Sequence, residues 1–129
     1  MADTNAPRPG NPVTWFEIGT DDPDAAMAFY RDVFGWTFET HDSYSMITTG
    51  PDHSLHGGLN DTRAAGPSTP TTYAVPYIQV EVVADACAAV EAAGGKVIAG
   101  PASTPEGLDF AHVADPAGNH IGLWRPPAG

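Results

Sequence analysis

The sequence predicts an α+β protein of two tandem βαβββ modules, whose curled mixed sheets surround a cleft. The order strand, helix, strand, strand, strand occurs twice along the 129 residues. The two halves also align with a nearly constant offset, since a shift of 60 places Trp15 on Val75 and a shift of 64 places His56 on His120. This duplication predicts two similar modules within one fold.

Chain length limits how the modules can fold. Residues 1–11 are expected to be a flexible leader and residues 12–129 a single domain, with modules at about 12–61 and 72–126. Units below about 70–80 residues rarely bury a sufficient core alone. The modules are therefore expected to pack against each other or against a second chain.

The first module begins with the strand VTWFEIG and continues into a helix. Asp22 is placed to cap this helix, Pro23 lies in its first turn and Gly35 ends it. One apolar stripe at helical spacing is expected to face the core: Ala25, Ala26, Phe29, Tyr30, Val33 and Phe34. Three short strands follow, within WTFETHD, SYSMITTG and SLHGGLN.

The second module repeats this order after a loop rich in Thr, Pro and Gly. YAVPYIQVEV predicts a strand, ADACAAVEAAGG a helix with a Gly stop, and KVIAGPAS, DFAHVAD and NHIGLW three further strands. A turn at residues 115–118 joins the last two strands. Cys87 lies in the Ala-rich helix and is expected to be a small buried hydrophobic residue rather than a nucleophile.

Composition excludes several classes of partner. Five basic and sixteen acidic residues give a formal charge of −11, which disfavours binding to nucleic acid or to an anionic membrane. The sequence contains no apolar run of about 18 residues, the length that would predict a transmembrane helix. A single cysteine excludes an internal disulfide and favours a reducing cytoplasmic location.

Three segments carry a resemblance to a known family: DDPDAAMAFYRDVFGW, AAVEAAGGKV and DPAGNHIGLW. Together with the duplicated order, they resemble the vicinal oxygen chelate superfamily of glyoxalase I, extradiol dioxygenases, and fosfomycin- and bleomycin-resistance proteins. The start W-x-E-x-x-T-x-D is similar to that of single-domain bacterial members. The resemblance implies two βαβββ modules around a cleft, usually doubled in a homodimer.

The resemblance also implies where a metal would be bound. Metal-using relatives take one His, Glu or Gln ligand from the first and the last strand of each module. The matching positions here are Trp15, Gly58, Val75 and Gly122. None of these side chains can coordinate a divalent cation. We therefore expect no metal and no cofactor, and glyoxalase or dioxygenase activity does not transfer to this chain.

Strand alternation divides the side chains between two faces of the sheet. One face is apolar and is expected to pack under the helices: Phe16, Ile18, Leu55, Leu59, Ile78, Val80, Ile121 and Leu123. The other face is the expected cleft face: Trp15, Glu17, Gly19, His56, Gly58, Asn60, Val75, Tyr77, Gln79, His120, Gly122 and Trp124. The glycines at 58 and 122 leave space where the family's metal ligands would project.

Three interpretations remain open for Glu17, His56 and His120. They could form a relocated metal site, since two histidines and a carboxylate suit iron or zinc. They could instead perform metal-free acid–base chemistry or bind a ligand by hydrogen bonds. They could also only fill the cleft while bonding to backbone or to each other. His41, His53 and His112 receive no predicted role beyond that of solvated or satisfied polar residues.

The favoured hypothesis is metal-independent binding of, or catalysis on, an apolar or aromatic small molecule, as in antibiotic resistance or biosynthesis. Its catalytic candidates are Glu17, His56 and His120, and the following line the ligand site: Trp15, Gly58, Asn60, Val75, Tyr77, Gln79, Gly122 and Trp124. One alternative is a metal-dependent lyase, isomerase or dioxygenase that uses the relocated Glu/His site. Another is a structural or regulatory protein with an occluded cleft.

Overall fold

A computed structural model describes residues 10–127, so most of the predicted leader lies outside the described residues. The first module comprises β1 (Val13–Thr20), α1 (Pro23–Phe34), β2 (Thr37–His41), β3 (Tyr44–Thr48) and β4 (Gly57–Asp61). A 3-10 turn (Thr62–Ala64) follows it. The second module comprises β5 (Tyr73–Gln79), α2 (Val83–Ala92), β6 (Lys96–Ser103), β7 (Asp109–Ala114) and β8 (His120–Arg125). The duplicated βαβββ order is confirmed.

All eight strands belong to one mixed sheet in the order β2-β3-β4-β1-β5-β8-β7-β6. The two modules join where β1 pairs antiparallel with β5. Within each module the first and last strands are parallel, β1 with β4 and β5 with β8. The sheet is continuous and not closed into a barrel, and both helices pack on one of its faces.

The β1–β5 pairing shows how the repeat is built. Trp15 pairs with Tyr77, and Glu17 pairs with Val75. A shift of 60 along the chain converts the first pair into the second, as expected for modules related by an approximate two-fold axis between β1 and β5.

The parallel strand pairs obey the same relation. Glu17 pairs with Gly58 in the first module, and Tyr77 pairs with Gly122 in the second. The offsets of 60 and 64 read from the sequence therefore describe equivalent positions in the sheet. The approximate two-fold axis brings the first and last strands of both modules into the centre of the molecule.

The helix-covered face carries two apolar clusters. Under α1, buried Ile18, Ile47 and Leu59 contact Phe16, Ala26, Met27, Tyr30, Trp36 and Phe38. Under α2, buried Val80, Val83, Cys87, Ala111, Val113 and Leu123 contact Ile78, Ala86, Val90, Val97 and Ile121. The expected helix-side face is thus confirmed apart from Leu55, which precedes β4 and is 45% exposed. Cys87 is buried and free, as expected.

The predicted stripe of α1 is only partly correct. Ala26 and Tyr30 contact the cluster beneath the helix, whereas Phe29, Val33 and Phe34 are each more than half exposed. A helix of 12 residues on the outside of a sheet turns only a narrow face inward, so a wide apolar stripe extends beyond the contact. Neither helix in residues 10–127 is long and apolar enough to cross a membrane.

Candidate functional site

Three tyrosine hydroxyls converge on one carboxylate on the uncovered face of the sheet. Tyr44 donates to Glu17 Oε1 at 2.9 Å, while Tyr73 and Tyr77 donate to Oε2 at 2.5 and 3.1 Å. Glu17 is 6% exposed, so these hydroxyls replace much of the water that a carboxylate would bind on the surface. We call these four residues the tyrosine–glutamate cluster.

Each tyrosine of the cluster lies over a glycine on a neighbouring strand. A Cβ added to the glycine would approach the tyrosine to 2.2 Å or less in every case, for the pairs Tyr44 over Gly58, Tyr73 over Gly19 and Tyr77 over Gly122. The space expected at residues 58 and 122 is therefore filled by tyrosine rings. Absence of a side chain at these glycines lets the rings lie close to the sheet and reach Glu17.

Burial and hydrogen bonding act in opposite directions on the acid. Desolvation raises the pKa of Glu17, and the hydrogen bonds from Tyr73, Tyr44 and Tyr77 lower it, with burial the larger effect. Burial and the neighbouring Glu17 charge raise the pKa of all three tyrosines. The tyrosines therefore keep their protons and act as donors around neutral pH.

Two further donors fix the direction of two of the three tyrosine hydroxyls. The Trp15 indole donates to Tyr44 Oη at 3.1 Å, and the Asn60 amide donates to Tyr73 Oη at 3.2 Å. An indole nitrogen can only donate, so the hydroxyl proton of Tyr44 is free to point at Glu17. The same reasoning applies to Tyr73 and the Asn60 amide nitrogen.

Two histidines extend the cluster toward the second module. Tyr77 Oη lies 3.2 Å from His112 Nε2, and His112 Nδ1 lies 2.7 Å from His120 Nε2. Burial, with a smaller contribution from His120, lowers the pKa of His112 to about 4. Burial also lowers the pKa of His120, which is only partly buried. Both imidazoles are therefore neutral near pH 7.

A pair of indoles lies beside this network. The rings of Trp15 and Trp124 are 6.0 Å apart at 43°, and both are partly exposed. Trp124 Nε1 donates to Thr14 Oγ1 at 3.0 Å, and Thr14 donates to Gln79 Oε1 at 3.1 Å. Irregular pairing of β1 between Val13 and Trp15 accompanies the contact of Thr14 with Trp124. Both indole N–H groups are satisfied within the chain, which leaves the rings as contact surfaces.

The structure brings Glu17 and His120 into one network but leaves His56 outside it. His56 precedes β4, and its Nδ1 accepts from the Thr49 backbone N–H at 3.1 Å. Within residues 10–127, no group of three or more His, Cys, Asp or Glu side chains is arranged to hold a metal ion. The relocated Glu17, His56 and His120 site therefore does not assemble.

The other predicted ligand-site residues lie around the cluster. Val75 is buried between Tyr73 and Tyr77 along β5, and Asn60 and Gln79 hold Tyr73 and Thr14 in the contacts described above. Two cavities of about 200 Å³ lie elsewhere, one beside Val90 under the end of α2 and the other beside the start of α1. Neither cavity combines buried titratable groups with accessible aromatic rings, as the tyrosine–glutamate cluster and the adjacent indole pair do.

Sequence reasoning missed Tyr44, Tyr73 and His112. The signal for His112 was the turn at residues 115–118, because a hairpin closed there pairs residue 112 with Gly122 and so places both on one face. Tyr44 pairs with Asn60 in the same manner. Tyr73 lies two residues before Val75 on β5, which alternation assigns to the cleft face.

The architecture and the uncovered central face define a class of small proteins with paired βαβββ modules. Residues 13–123 match the family model of the Glyoxalase/Bleomycin resistance protein/Dioxygenase superfamily, and the chain belongs to this superfamily. The expected resemblance is thereby confirmed.

Two curated relatives have sequences similar to this chain. The chain is 35% identical over 117 residues to CFP32 of Mycobacterium tuberculosis, whose name places it provisionally among the glyoxylases; the match covers 87% of this chain and 43% of the relative. It is also 29% identical over 136 residues to the anthracycline biosynthesis protein DnrV of Streptomyces peucetius. This match covers 91% of this chain and 47% of the relative. The chain thus spans less than half the length of these relatives.

A variant of methylmalonyl-CoA epimerase from Streptomyces coelicolor, solved with 2-nitronate-propionyl-CoA, superposes with a TM-score of 0.62. Identity is 15%, and the match covers 92% of this chain and 99% of that one. At this identity the likeness shows the fold alone.

Proposed function

We propose that the cleft face binds an apolar, aromatic small molecule without a metal ion. The observation that carries this proposal is the partly exposed indole pair of Trp15 and Trp124 beside the tyrosine–glutamate cluster. Aromatic surfaces with a few oriented polar groups are typical of sites for apolar ligands. Glu17 and His120 are the acid–base groups of this site in the proposal.

The side chains and the space at the family's ligand positions support metal independence. Trp15, Gly58, Val75 and Gly122 offer no oxygen or imidazole nitrogen, and the residues do not fit a divalent cation. Tyrosine rings also fill the space above Gly58 and Gly122. A cation at the family's position would lack both ligands and room.

A planar polycyclic ligand is the most direct probe of the indole pair. One relative is named for anthracycline biosynthesis, which makes an anthracycline a suitable first compound. The three tryptophans of the chain allow a matched design, because Trp36 stacks on Tyr30 at 5.0 Å on the helix-covered face, away from the indole pair. Trp36→Phe should retain ligand-dependent quenching of tryptophan fluorescence, whereas Trp15→Phe/Trp124→Phe should lose it.

Calorimetry provides the affinity. We expect Trp15→Ala/Trp124→Ala, which removes both stacking surfaces, to bind at least about tenfold more weakly than the Trp36→Phe control, a loss of more than about 1.4 kcal/mol. Dialysis against EDTA should leave the affinity unchanged. Equal quenching of Trp36, or binding that requires an added divalent cation, would reject the proposal.

We also include a homodimer and a cytoplasmic location in the proposal. The exposed aromatic and aliphatic side chains of α1 (Phe29, Val33 and Phe34) offer an apolar surface that a second chain could cover. The free, buried Cys87 is compatible with a reducing compartment. Light scattering of the purified chain would test the assembly, and a monomer at micromolar concentration would contradict it.

A further inference from the structure

We propose that Glu17, Tyr77, His112 and His120 form a proton relay between the cleft surface and the buried carboxyl group. The relay rests on hydrogen-bond geometry and does not require the proposed aromatic ligand. Its use on a bound molecule does rest on the proposed function. In that case the ligand would be one with an acidic O–H or C–H hydrogen that reaches His120 Nδ1.

The path is continuous from the interior to the surface. Glu17 Oε2 lies 3.1 Å from Tyr77 Oη, Tyr77 Oη lies 3.2 Å from His112 Nε2, and His112 Nδ1 lies 2.7 Å from His120 Nε2. Glu17, Tyr77 and His112 are each at most 6% exposed, whereas His120 is only partly buried. His120 is therefore the member of the path that exchanges protons with solvent or ligand.

Proton positions along the path are fixed when Glu17 is ionised. Tyr77 then donates to the carboxylate, so the Tyr77 oxygen must accept a hydrogen bond from His112 Nε2, which carries the proton. His112 Nδ1 consequently carries no proton and accepts from His120 Nε2. His120 Nδ1 is left as an unprotonated nitrogen that can act as a base at the cleft.

Uptake of one proton reverses every bond in the path without leaving a charged histidine. A proton binds to His120 Nδ1, and the proton on His120 Nε2 passes to His112 Nδ1. The proton on His112 Nε2 passes to Tyr77, whose own proton passes to Glu17. The result is a neutral carboxylic acid, a neutral tyrosine and two neutral imidazoles protonated at Nδ1, which balances the single proton taken up.

The surroundings of Glu17 favour transfer of the proton to its carboxylate over an ionised Glu17 beside a charged histidine. The groups that face it are tyrosines from β3 and β5 and His112 from β7. Trp15 donates to Tyr44 and Asn60 donates to Tyr73, and neither donor carries a charge. Among the ion pairs of the described chain, Glu17 has one partner, His112 at 3.9 Å. Without a permanent cation nearby, a neutral buried acid costs less than an ionised one.

The test is nuclear magnetic resonance of the full chain with labelled histidine nitrogens and labelled glutamate carboxyl carbons, between pH 5 and 9. As the pH falls, we expect the protons of His112 and His120 to move from Nε2 to Nδ1 at the same midpoint as the Glu17 carboxyl signal. His112 tautomers that stay constant over this range would overturn the relay. So would a His120 that becomes doubly protonated while Glu17 remains ionised.

Two variants separate the relay from a merely structural network. Tyr77→Phe and Tyr44→Phe each remove one hydroxyl donor to Glu17, but only Tyr77 lies on the path. In Tyr77→Phe the histidine and carboxyl midpoints should separate by about one pH unit or more, and in Tyr44→Phe they should stay equal. Equal behaviour of both variants would reject the proposal. If Tyr77→Phe does not fold, the wild-type tautomers alone decide.

Failure of the relay and failure of the proposed function are distinguishable. The histidine tautomers are measured without ligand, whereas ligand binding is measured through the indoles. If the histidine tautomers change together with Glu17 but no aromatic compound binds, the relay stands and the proposed function is wrong. If an aromatic compound binds but the tautomers do not change with Glu17, the proposed function stands and the relay is wrong.

Discussion

Glu17 shows how a buried charge is stabilised in this sheet. A hydrogen bond to a charged group contributes roughly 1.5–3 kcal/mol, so three tyrosine donors offset a substantial part of the several kcal/mol that desolvation costs. Burial still has the larger effect on the pKa of Glu17, which remains raised. Such a group can change its protonation state closer to neutral pH than a surface carboxyl group.

The glycine beneath each tyrosine should contribute to stability, because it gives the tyrosine ring the space to reach Glu17. In Gly58→Ala the new Cβ would lie 1.8 Å from Tyr44 Oη, so the ring must move away from the sheet and from Glu17. We expect a loss of about 1–3 kcal/mol in the free energy of unfolding, as for other overpacked sites. Urea denaturation followed by tryptophan fluorescence measures this change.

Gly66→Ala is the matched control for that experiment, because an added Cβ at residue 66 meets no atom within 4 Å. It should change the free energy of unfolding by no more than about 0.5 kcal/mol. If Gly58→Ala is as stable as Gly66→Ala, the close packing of Tyr44 on the sheet is wrong.

Strand alternation predicts some residues of this site correctly, but it does not identify all of them. Alternation placed Glu17 and Tyr77 on the uncovered face, and both contribute to the cluster. Alternation also predicts His56 beside them, but β4 begins at Gly57, so His56 precedes the strand and alternation does not apply to it. His112 was omitted because its position depends on hairpin register, which is fixed by the turn and not by periodicity.

At the level of elements, the two helices differ at their N-termini although the modules are repeats. Asp22 caps α1, and its side chain accepts from the Ala25 backbone N–H at 3.2 Å. The residue 60 positions later is Val82, which occupies the same place before α2 and makes no capping bond. Val82 has extended backbone geometry and is 47% exposed, so a polar side chain fits there without repacking.

Val82→Ser should therefore stabilise the protein. A serine hydroxyl can accept from a free N–H in the first turn of α2, which is worth about 0.5–2 kcal/mol relative to alanine at a helix N-cap. Val82→Ala removes the same apolar side chain without adding an acceptor and serves as the control. Equal midpoints of the two variants in urea denaturation would show that the N–H groups of α2 need no cap.

Element types and order were predictable, but the amount of burial was not. Caps, glycine stops and alternation identify every helix and strand in both modules. They do not predict how wide a face of each helix contacts the sheet. Phe29 and Val33 lie outside that contact and are exposed. That width depends on helix position over the sheet, which is a tertiary property.

At the level of the whole molecule, the β1–β5 pair makes two modules into one sheet. Periodicity predicts the strands of each module, but nothing local in the sequence selects this antiparallel contact. The family resemblance implies paired modules but leaves open whether they pair within one chain or between two chains, and the structure shows the pairing within one chain. The tyrosine–glutamate cluster then depends on it, because Glu17 lies on β1 while Tyr73 and Tyr77 lie on β5.

The pH dependence of unfolding should reveal two opposing contributions from this network. The raised pKa of Glu17 contributes stability that is present at acidic pH and lost as the pH rises through its folded pKa. The lowered pKa of His112, about 4, contributes stability that is present above its ordinary value of 6.5 and lost as the pH falls toward 4. The two contributions overlap in the wild type, so a variant is needed to separate them.

His112→Gln removes one contribution and retains the other. Between pH 7.5 and pH 5 the wild type should lose about 2 kcal/mol more of its free energy of unfolding than the variant, since the unfolded chain gains a proton that buried His112 does not. Urea denaturation at both pH values measures the difference, and His53→Gln, which removes an exposed histidine, should follow the wild-type curve. Parallel curves for the wild type and His112→Gln would mean that His112 binds protons as readily in the folded chain as in the unfolded one, and its burial beside Tyr77 would then be wrong.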